Sequence, residues 1–307
     1  MTDKATRDSF GDAIKKLGAE FPKIVVLDAD LSVSTKSVLF AKAYPDRFFQ
    51  MGIAEANMVG TAAGLSFTGL IPFLCSFGAF VAGRYETIRV SVGYSRANVK
   101  IVGTHAGLGI GEDGYSQMGL EDINLLRALP GITIVQPSDD ATTHAAVRFA
   151  AMHVGPVYLR LTRQKLPALY RSEAIFQCGR AILLKEGKEL ALIGSGSTVS
   201  ETMRASEELA ELNPWVIDMH TIKPIDRALI KTLAHTCHWI VSVEDHSTIG
   251  GLGSAIAETL AENGFRGKLV RLGVQDTYGE SGQPAELYEK YGIAAGAIVR
   301  RVREIVH

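Results

Sequence analysis

The run Val99-Lys100-Ile101-Val102-Gly103-Thr104 is apolar, β-branched and of strand length, and it passes directly into His105-Ala106-Gly107-Leu108-Gly109-Ile110-Gly111-Glu112-Asp113-Gly114. An apolar strand that ends in a glycine-rich loop reads as an inner strand of a parallel sheet, because a strand covered on both faces needs no polar alternation. Similar runs lie at residues 24–28, 71–75, 132–135 and 157–160, separated by longer segments of helical period such as 139–153. A polar stretch at 162–179, carrying Pro167, interrupts the series. The pattern then repeats with strands at 190–194, 215–219, 239–243 and 268–272 and helices starting near Thr198, Asp226 and Gly250. The expected fold class is α/β, with two domains, each a mostly parallel sheet flanked by helices, at 1–165 and 188–307 with a linker at 166–187.

A length of 307 residues agrees with two domains, which together can bury about 75% of the unfolded chain's surface. With 47% hydrophobic residues, 21% charged residues and 31 glycines, the chain is neither disordered nor fibrous. Lys and Arg number 32 against 33 Asp and Glu, so the net charge of -1 supplies no field for nucleic acid or an anionic membrane. Phosphate recognition would have to be local. Cys75, Cys178 and Cys237 lie too far apart for a disulfide framework and lack metal-ligand spacing, which fits a reducing cytoplasm. The first 16 residues are charged throughout, with no apolar signal core, and no 18-residue apolar run could span a bilayer. The expectation is a soluble, cytoplasmic protein.

Residues 48–83 contain a single charged side chain, Glu55. Glycines, Pro72, Asn57, Thr61 and Thr68 interrupt the segment, which therefore reads as core or subunit interface rather than a membrane helix. A carboxylate removed from water costs several kcal/mol unless it is protonated or hydrogen-bonded, so Glu55 is expected to be buried with a raised pKa or a specific partner. Both are typical of functional acids. Ala56, Gly60, Ala63 and Gly64 give the following helix a small-residue face that would admit another backbone closely. Phe73, Phe77 and Phe80, at spacings of four and three, could line one helical face and stack on a flat ligand.

Gly109 to Gly114 formally matches G-x-G-x-x-G, but Glu112 and Asp113 would set carboxylates against a pyrophosphate, and Gln136 stands where the ribose-binding acid should follow the next strand. A dinucleotide site is rejected. What remains is a loop at a strand's carboxyl end whose His105, Glu112 and Asp113 can hydrogen-bond hydroxyls. The turns Gly194-Ser195-Gly196 and Gly250-Gly251-Leu252-Gly253 read as tight strand-to-helix connections without a ligand.

Together, Gly52-Ile53-Ala54-Glu55-Ala56-Asn57-Met58, the loop at 104–114 and Leu161-Thr162-Arg163-Gln164 resemble the transketolase family over the whole chain. The likeness is to the family's C-terminal half alone. Transketolases are about twice this length, and the G-D-G motif of their N-terminal diphosphate- and metal-binding domain is absent; Gly111-Glu112-Asp113-Gly114 lies in a different context. The resemblance implies the second subunit of a split transketolase: a pyrimidine-binding domain plus the C-terminal domain, inactive alone. It implies thiamine diphosphate as cofactor, with Mg2+ (or Ca2+) held by an N-terminal partner subunit in an α2β2 heterotetramer. Glu55 matches the glutamate that hydrogen-bonds the aminopyrimidine and favours its imino tautomer. Phe77 and Phe80 match the aromatic rings on the pyrimidine, and Asp30 an acidic turn near the cofactor. His105 and Asp113 match ligands of the ketose hydroxyl and carbonyl groups. Arg7, Ser34 and Arg163 match sugar-phosphate ligands, for which an arginine fork and a serine hydroxyl are suited.

The sequence departs from the family at Gln117, where a histidine is usual; a glutamine can bond a sugar hydroxyl but cannot titrate near neutrality. The remaining histidines have no matched role. The implied activity is transfer of a two-carbon ketol unit from a ketose phosphate to an aldose phosphate within the pentose phosphate pathway. The β subunit of a 2-oxo acid dehydrogenase shares the fold and the glutamate, but Gly111-Glu112-Asp113-Gly114, Arg7 and Arg163 fit a phosphosugar better. A 1-deoxyxylulose-5-phosphate synthase-like enzyme is a closer alternative. A non-catalytic assembly subunit would be expected to lose the key acid, which is present.

Overall fold

In the computed structural model, which describes residues 3–306, the apolar runs become strands and the periodic segments between them helices. Met1, Thr2 and His307, the outer ends of the two expected domains, lie outside the described residues. In chain order the strands are β1 (Lys4–Ala5), β2 (Ile24–Asp28), β3 (Phe48–Gln50), β4 (Ile71–Phe77), β5 (Lys100–Thr104), β6 (Thr133–Val135), β7 (Val157–Arg160), β8 (Lys165–Leu166), β9 (Ile182–Lys185), β10 (Leu190–Gly194), β11 (Trp215–Asp218), β12 (Thr221–Lys223), β13 (Trp239–Ser247) and β14 (Lys268–Val274).

The first sheet runs β12-β6-β7-β5-β4-β2-β3 and the second β14-β13-β10-β11-β9, while β1 and β8 form a small antiparallel pair. Within the two large sheets, only β12 on β6 and β9 on β11 run antiparallel. Every residue of β2, β5 and β10 is buried, which accounts for their unbroken apolar character. The helix Asp140–Met152 starts where expected because Asp139 accepts from the Thr142 amide at 2.8 Å in a capping box.

Five strands lacked a readable signal, two of them the two-residue pair β1 and β8. The edge strands β3 and β12 are three residues long, and β9, four residues within the 166–187 segment, is an edge of the second sheet. Strand β12 carries further meaning: it comes from the second half of the chain yet pairs with β6, so one sheet includes strands from both halves. Apolar clusters also cross, one running from Leu27 and Ile101 to Ile193 and Ile256. Among the described residues no helix is long and apolar enough to cross a membrane.

In each large sheet the winding reverses beside the first parallel strand. The chain passes from β2 out to β3, then back across β2 to β4 and on to β5; likewise it passes from β10 to β11, then back to β13 and out to β14. Loops diverge at the carboxyl ends of such a strand pair and leave a crevice, the usual ligand position in open α/β sheets. The two crevices lie between β2 and β4 and between β10 and β13.

Candidate active site

At the β2/β4 crevice, β2 ends in buried Asp28, whose carboxylate accepts from the Leu31 amide at 2.6 Å and from the hydroxyls of Thr35 and Ser37 at 2.7 and 2.8 Å. Burial raises its pKa, and these donors oppose the rise. The turn that follows puts Asp30 at φ +62° on the exposed rim, its amide donating to Gln50 Oε1 at 2.7 Å. Ser34 sits half-buried in the short helix Ser32–Thr35, and its carbonyl accepts from Arg7 at 3.2 Å.

Opposite, β4 ends at Phe77, whose ring stacks on Phe80 at 5.3 Å between centroids and on His105 at 3.8 Å. The helical stripe expected from Phe73, Phe77 and Phe80 does not exist. Phe73 and Phe77 are both strand residues, Phe73 lies wholly in the core, and the helix carrying Phe80 begins only at Gly78. Phe80 itself is half-buried, so the pair offers a flat apolar wall.

His105 follows β5 at φ +57° and is buried. Arg7 Nη1 lies 2.6 Å from His105 Nε2, and Thr104 Oγ1 lies 2.8 Å from Nδ1. A guanidinium can only donate, so Nε2 accepts, the ring proton sits on Nδ1, and Thr104 accepts it while donating onward to the Ser76 carbonyl at 3.4 Å. Burial first, then the charges of Arg7, Arg163 and Lys36, push the imidazole down to about 3. Arg7 Nε is buried without a partner, and burial lowers the pKa of this guanidinium too.

Glu55 is the first residue of the helix Glu55–Phe67 and accepts from Ser76 Oγ at 3.1 Å, one residue before Phe77. The expected partner is therefore present, but the expected full burial is not: Glu55 is half-buried in the single chain. The helix buries Met58, Val59, Ala62 and Ala63 and turns Ala56, Gly60 and Gly64 outward, so Ala63 belongs to the core and not to the small-residue face. A Cβ at Gly60 or Gly64 would meet nothing within 4 Å, and Ile53 beside them is 85% exposed.

The loop after His105 turns at Gly107, Gly111 and Gly114, all at positive φ, where a side chain would be strained. It places Asp113 3.2 Å from Arg163, which also donates to the Ile110 carbonyl at 3.1 Å, and sets Gln117 half-buried on the turn Tyr115–Gln117. Two chains of contact result: Glu55, Ser76, Phe77, Phe80, His105, Arg7 and Ser34 in one, Arg163 and Asp113 in the other, near enough that Arg163 acts on both Arg7 and His105. Ser76, Thr104 and Lys36 had no sequence signal, since each acts only through a residue distant in the chain. Among the described residues no cluster of three or more His, Cys, Asp or Glu could hold a metal ion. Chemically, the crevice offers a flat apolar wall, a carboxylate at its edge, a neutral imidazole and two arginines for a tetrahedral anion.

Residues 2–168 match the transketolase pyrimidine-binding domain and residues 179–298 the transketolase C-terminal domain. A protein of Methanocaldococcus jannaschii described as a transketolase C-terminal section is 44% identical over 306 residues, covering 98% of this chain and 96% of that protein. A 6-deoxy-6-sulfo-D-fructose transketolase subunit of Clostridium sp. is 39% identical over 302 residues, covering 97% and 94%. Among solved structures, a split gene transketolase, described as an inactive beta4 tetramer, aligns with a TM-score of 0.90 at 47% identity over 98% of this chain and 97% of that one.

Proposed function

Since the chain belongs to the transketolase family and carries its pyrimidine-binding and C-terminal domains, we propose that it is the C-terminal subunit of a split, thiamine-diphosphate-dependent transketolase. Joined to a diphosphate-binding N-terminal subunit, it moves a two-carbon ketol unit from a ketose phosphate to an aldose phosphate. The observation that carries this reading is the meeting at one crevice of the Glu55–Ser76 pair, the Phe77–Phe80 wall and neutral His105 held by Arg7. These residues fit the cofactor: a stacked aromatic pair suits a pyrimidine ring, and Glu55 keeps one carboxylate oxygen beyond its Ser76 bond.

Thiamine diphosphate, when bound, supplies the carbanion and the electron sink. This chain holds and tunes. Glu55 hydrogen-bonds the aminopyrimidine, Phe77 and Phe80 orient the ring, and Asp30 lies near it on the crevice rim. His105, Asp113 and Gln117 bind ketose oxygens, with His105 as a neutral partner. Arg7, Ser34 and Arg163 hold the anionic terminus, where the partnerless Arg7 Nε marks unspent donor capacity. Diphosphate and Mg2+ belong to the partner subunit. The outward small-residue face of the helix Glu55–Phe67 supports close packing by such a partner, and the inactive state given for the related beta4 tetramer supports dependence on it. An α2β2 assembly in the cytoplasm, serving the pentose phosphate pathway, completes the proposal.

The relative named for 6-deoxy-6-sulfo-D-fructose favours a second reading of the acceptor and donor, since an arginine pair receives a sulfonate as well as a phosphate. Reconstitution tests both. The chain is mixed with the N-terminal subunit, thiamine diphosphate and Mg2+, and ketol transfer is assayed from xylulose 5-phosphate and from 6-deoxy-6-sulfo-D-fructose to an aldose phosphate. Transfer with both subunits and none with either alone is expected. Activity of this chain alone, or none with its partner on either donor, overturns the proposal.

A further inference from the structure

We infer that Asp245 is a positioning residue for the ketose-binding loop, and that the C-terminal domain contributes to the reaction by gripping that loop in its own crevice. The inference rests on the transketolase reading above. In the second sheet the winding reverses between β10 and β13, and Asp245 stands two residues beyond Val243, the partner of Gly194 at the end of β10. Its carboxylate thus occupies the place where a doubly wound sheet would meet a ligand. Here the occupant is the protein.

Asp245 is buried, and Oδ1 accepts from the Leu108 amide at 2.6 Å. Oδ2 accepts from the Tyr288 hydroxyl at 2.7 Å and from Ser197 Oγ at 3.3 Å; Tyr288 in turn accepts from Gln164 at 2.6 Å. Leu108 and Gln164 come from the first half of the chain, Ser197 and Tyr288 from the second, so one carboxylate ties four separate segments. Gly107 lies so close that a Cβ on it would come within 2.3 Å of Asp245 Oδ2. Burial raises the Asp245 pKa, while the Arg160 charge and the hydrogen-bond donors oppose that rise.

Beyond this anchor the loop is laid on the C-terminal domain. A Cβ at Gly111 would stand 3.2 Å from the Gly282 carbonyl, and one at Gly114 2.5 Å from Ser281 Oγ. Gln283 donates to Glu112 at 2.6 Å, and Tyr115 packs edge-on against Tyr278 at 4.6 Å. This one surface therefore sets the path between His105 and Gln117, with Asp113 inside it. Bound groups must be held within a fraction of an ångström, and a displacement of about 1 Å can cost about 100-fold in rate.

The test uses Asp245→Asn and Tyr288→Phe, each in the full chain and in the two-subunit complex. Amide hydrogen exchange across residues 106–118 reads the loop; ketose KM, kcat and the thiamine diphosphate Kd read the site. For Asp245→Asn we expect faster exchange confined to that loop and a ketose KM raised about 10-fold or more, with kcat less affected and cofactor affinity unchanged. Tyr288→Phe, which removes one donor, gives the same pattern at about 3-fold. If Asp245→Asn fails to fold, Tyr288→Phe decides alone. Unchanged loop exchange in a folded variant, or faster exchange with an unchanged KM, overturns the inference. A wild-type complex without ketol transfer counts against the functional reading instead, while the exchange measurement still decides whether Asp245 holds the loop.

Discussion

At the carboxyl ends of β2 and β4 the crevice is lined by groups with capacity to spare: half-buried Glu55 with one hydrogen bond, Arg7 with an unpartnered Nε, and a stacked pair of rings of which Phe80 is half-buried. At the carboxyl ends of β10 and β13 the equivalent space is filled. Asp245 accepts three hydrogen bonds there, and beneath it Arg160 spends its guanidinium on Asp122 and on the carbonyls of Gly119 and Asp245. The two sheets share a winding reversal, and topology alone would nominate both crevices as ligand sites. The central carboxylates tell them apart: Glu55 accepts one hydrogen bond and Asp245 three. A crevice whose central carboxylate is saturated by its own chain is built for position; one whose carboxylate keeps acceptor capacity to spare is built for a visitor.

The sharpest break in this comparison is Glu55→Gln. In the reconstituted enzyme it should cost about 10²- to 10⁴-fold in turnover. The unfolding free energy of the chain, read from urea titration, should change by no more than about 0.5 kcal/mol, because the amide oxygen can keep the Ser76 bond at a half-exposed position. A stability loss on the scale of the activity loss would place Glu55 among the structural carboxylates. The converse holds for Arg160→Met in the filled region. It leaves the buried Asp122 carboxylate without its 2.9 Å partner, and urea unfolding should show a loss of about 3 to 5 kcal/mol. A cost under about 1 kcal/mol would mean that charge does not fasten the second crevice.

The open crevice was largely legible in the sequence and the filled one was not. Glu55 stands out as the only charge in residues 48–83, and the strands beside it are unbroken apolar runs. Its burial is overstated by apolar composition, which counts Met58 and Val59, which turn inward, together with Gly60 and Gly64, which turn outward. The aromatic spacing misled for a similar reason: a period of three and four spans a strand end and a helix start as readily as one helix. Asp245 meets Leu108 across 137 positions and Arg160 across 85, and no local period or motif encodes such pairs. Gly194-Ser195-Gly196 is the tight strand-to-helix turn its glycines suggest, but nothing in it marks Ser197 beside it as part of the Asp245 network. Short edge strands such as β12 likewise carry too few residues for alternation to register.

The smallest expected effect is an absence of titration, and it sharpens what an open crevice means. His105 is buried, and Arg7 and Thr104 assign its proton to Nδ1. Burial, followed by the charges of Arg7, Arg163 and Lys36, brings its pKa from 6.5 to about 3. Folding therefore favours the neutral ring. The stability this contributes is full above pH 6.5 and is lost as the pH falls toward about 3, where the folded imidazole finally protonates. Ring nitrogen chemical shifts should show the Nδ1–H tautomer and no titration from about pH 8 down to about pH 5. In Arg7→Met the ring should stay neutral over less of that range, since one of the charges opposing protonation is gone. An imidazole in the unaltered chain that titrates near 6.5 would break the assignment: a protonated Nε2 cannot accept from Arg7, and the crevice would then hold two repelling cations in place of a donor facing an acceptor.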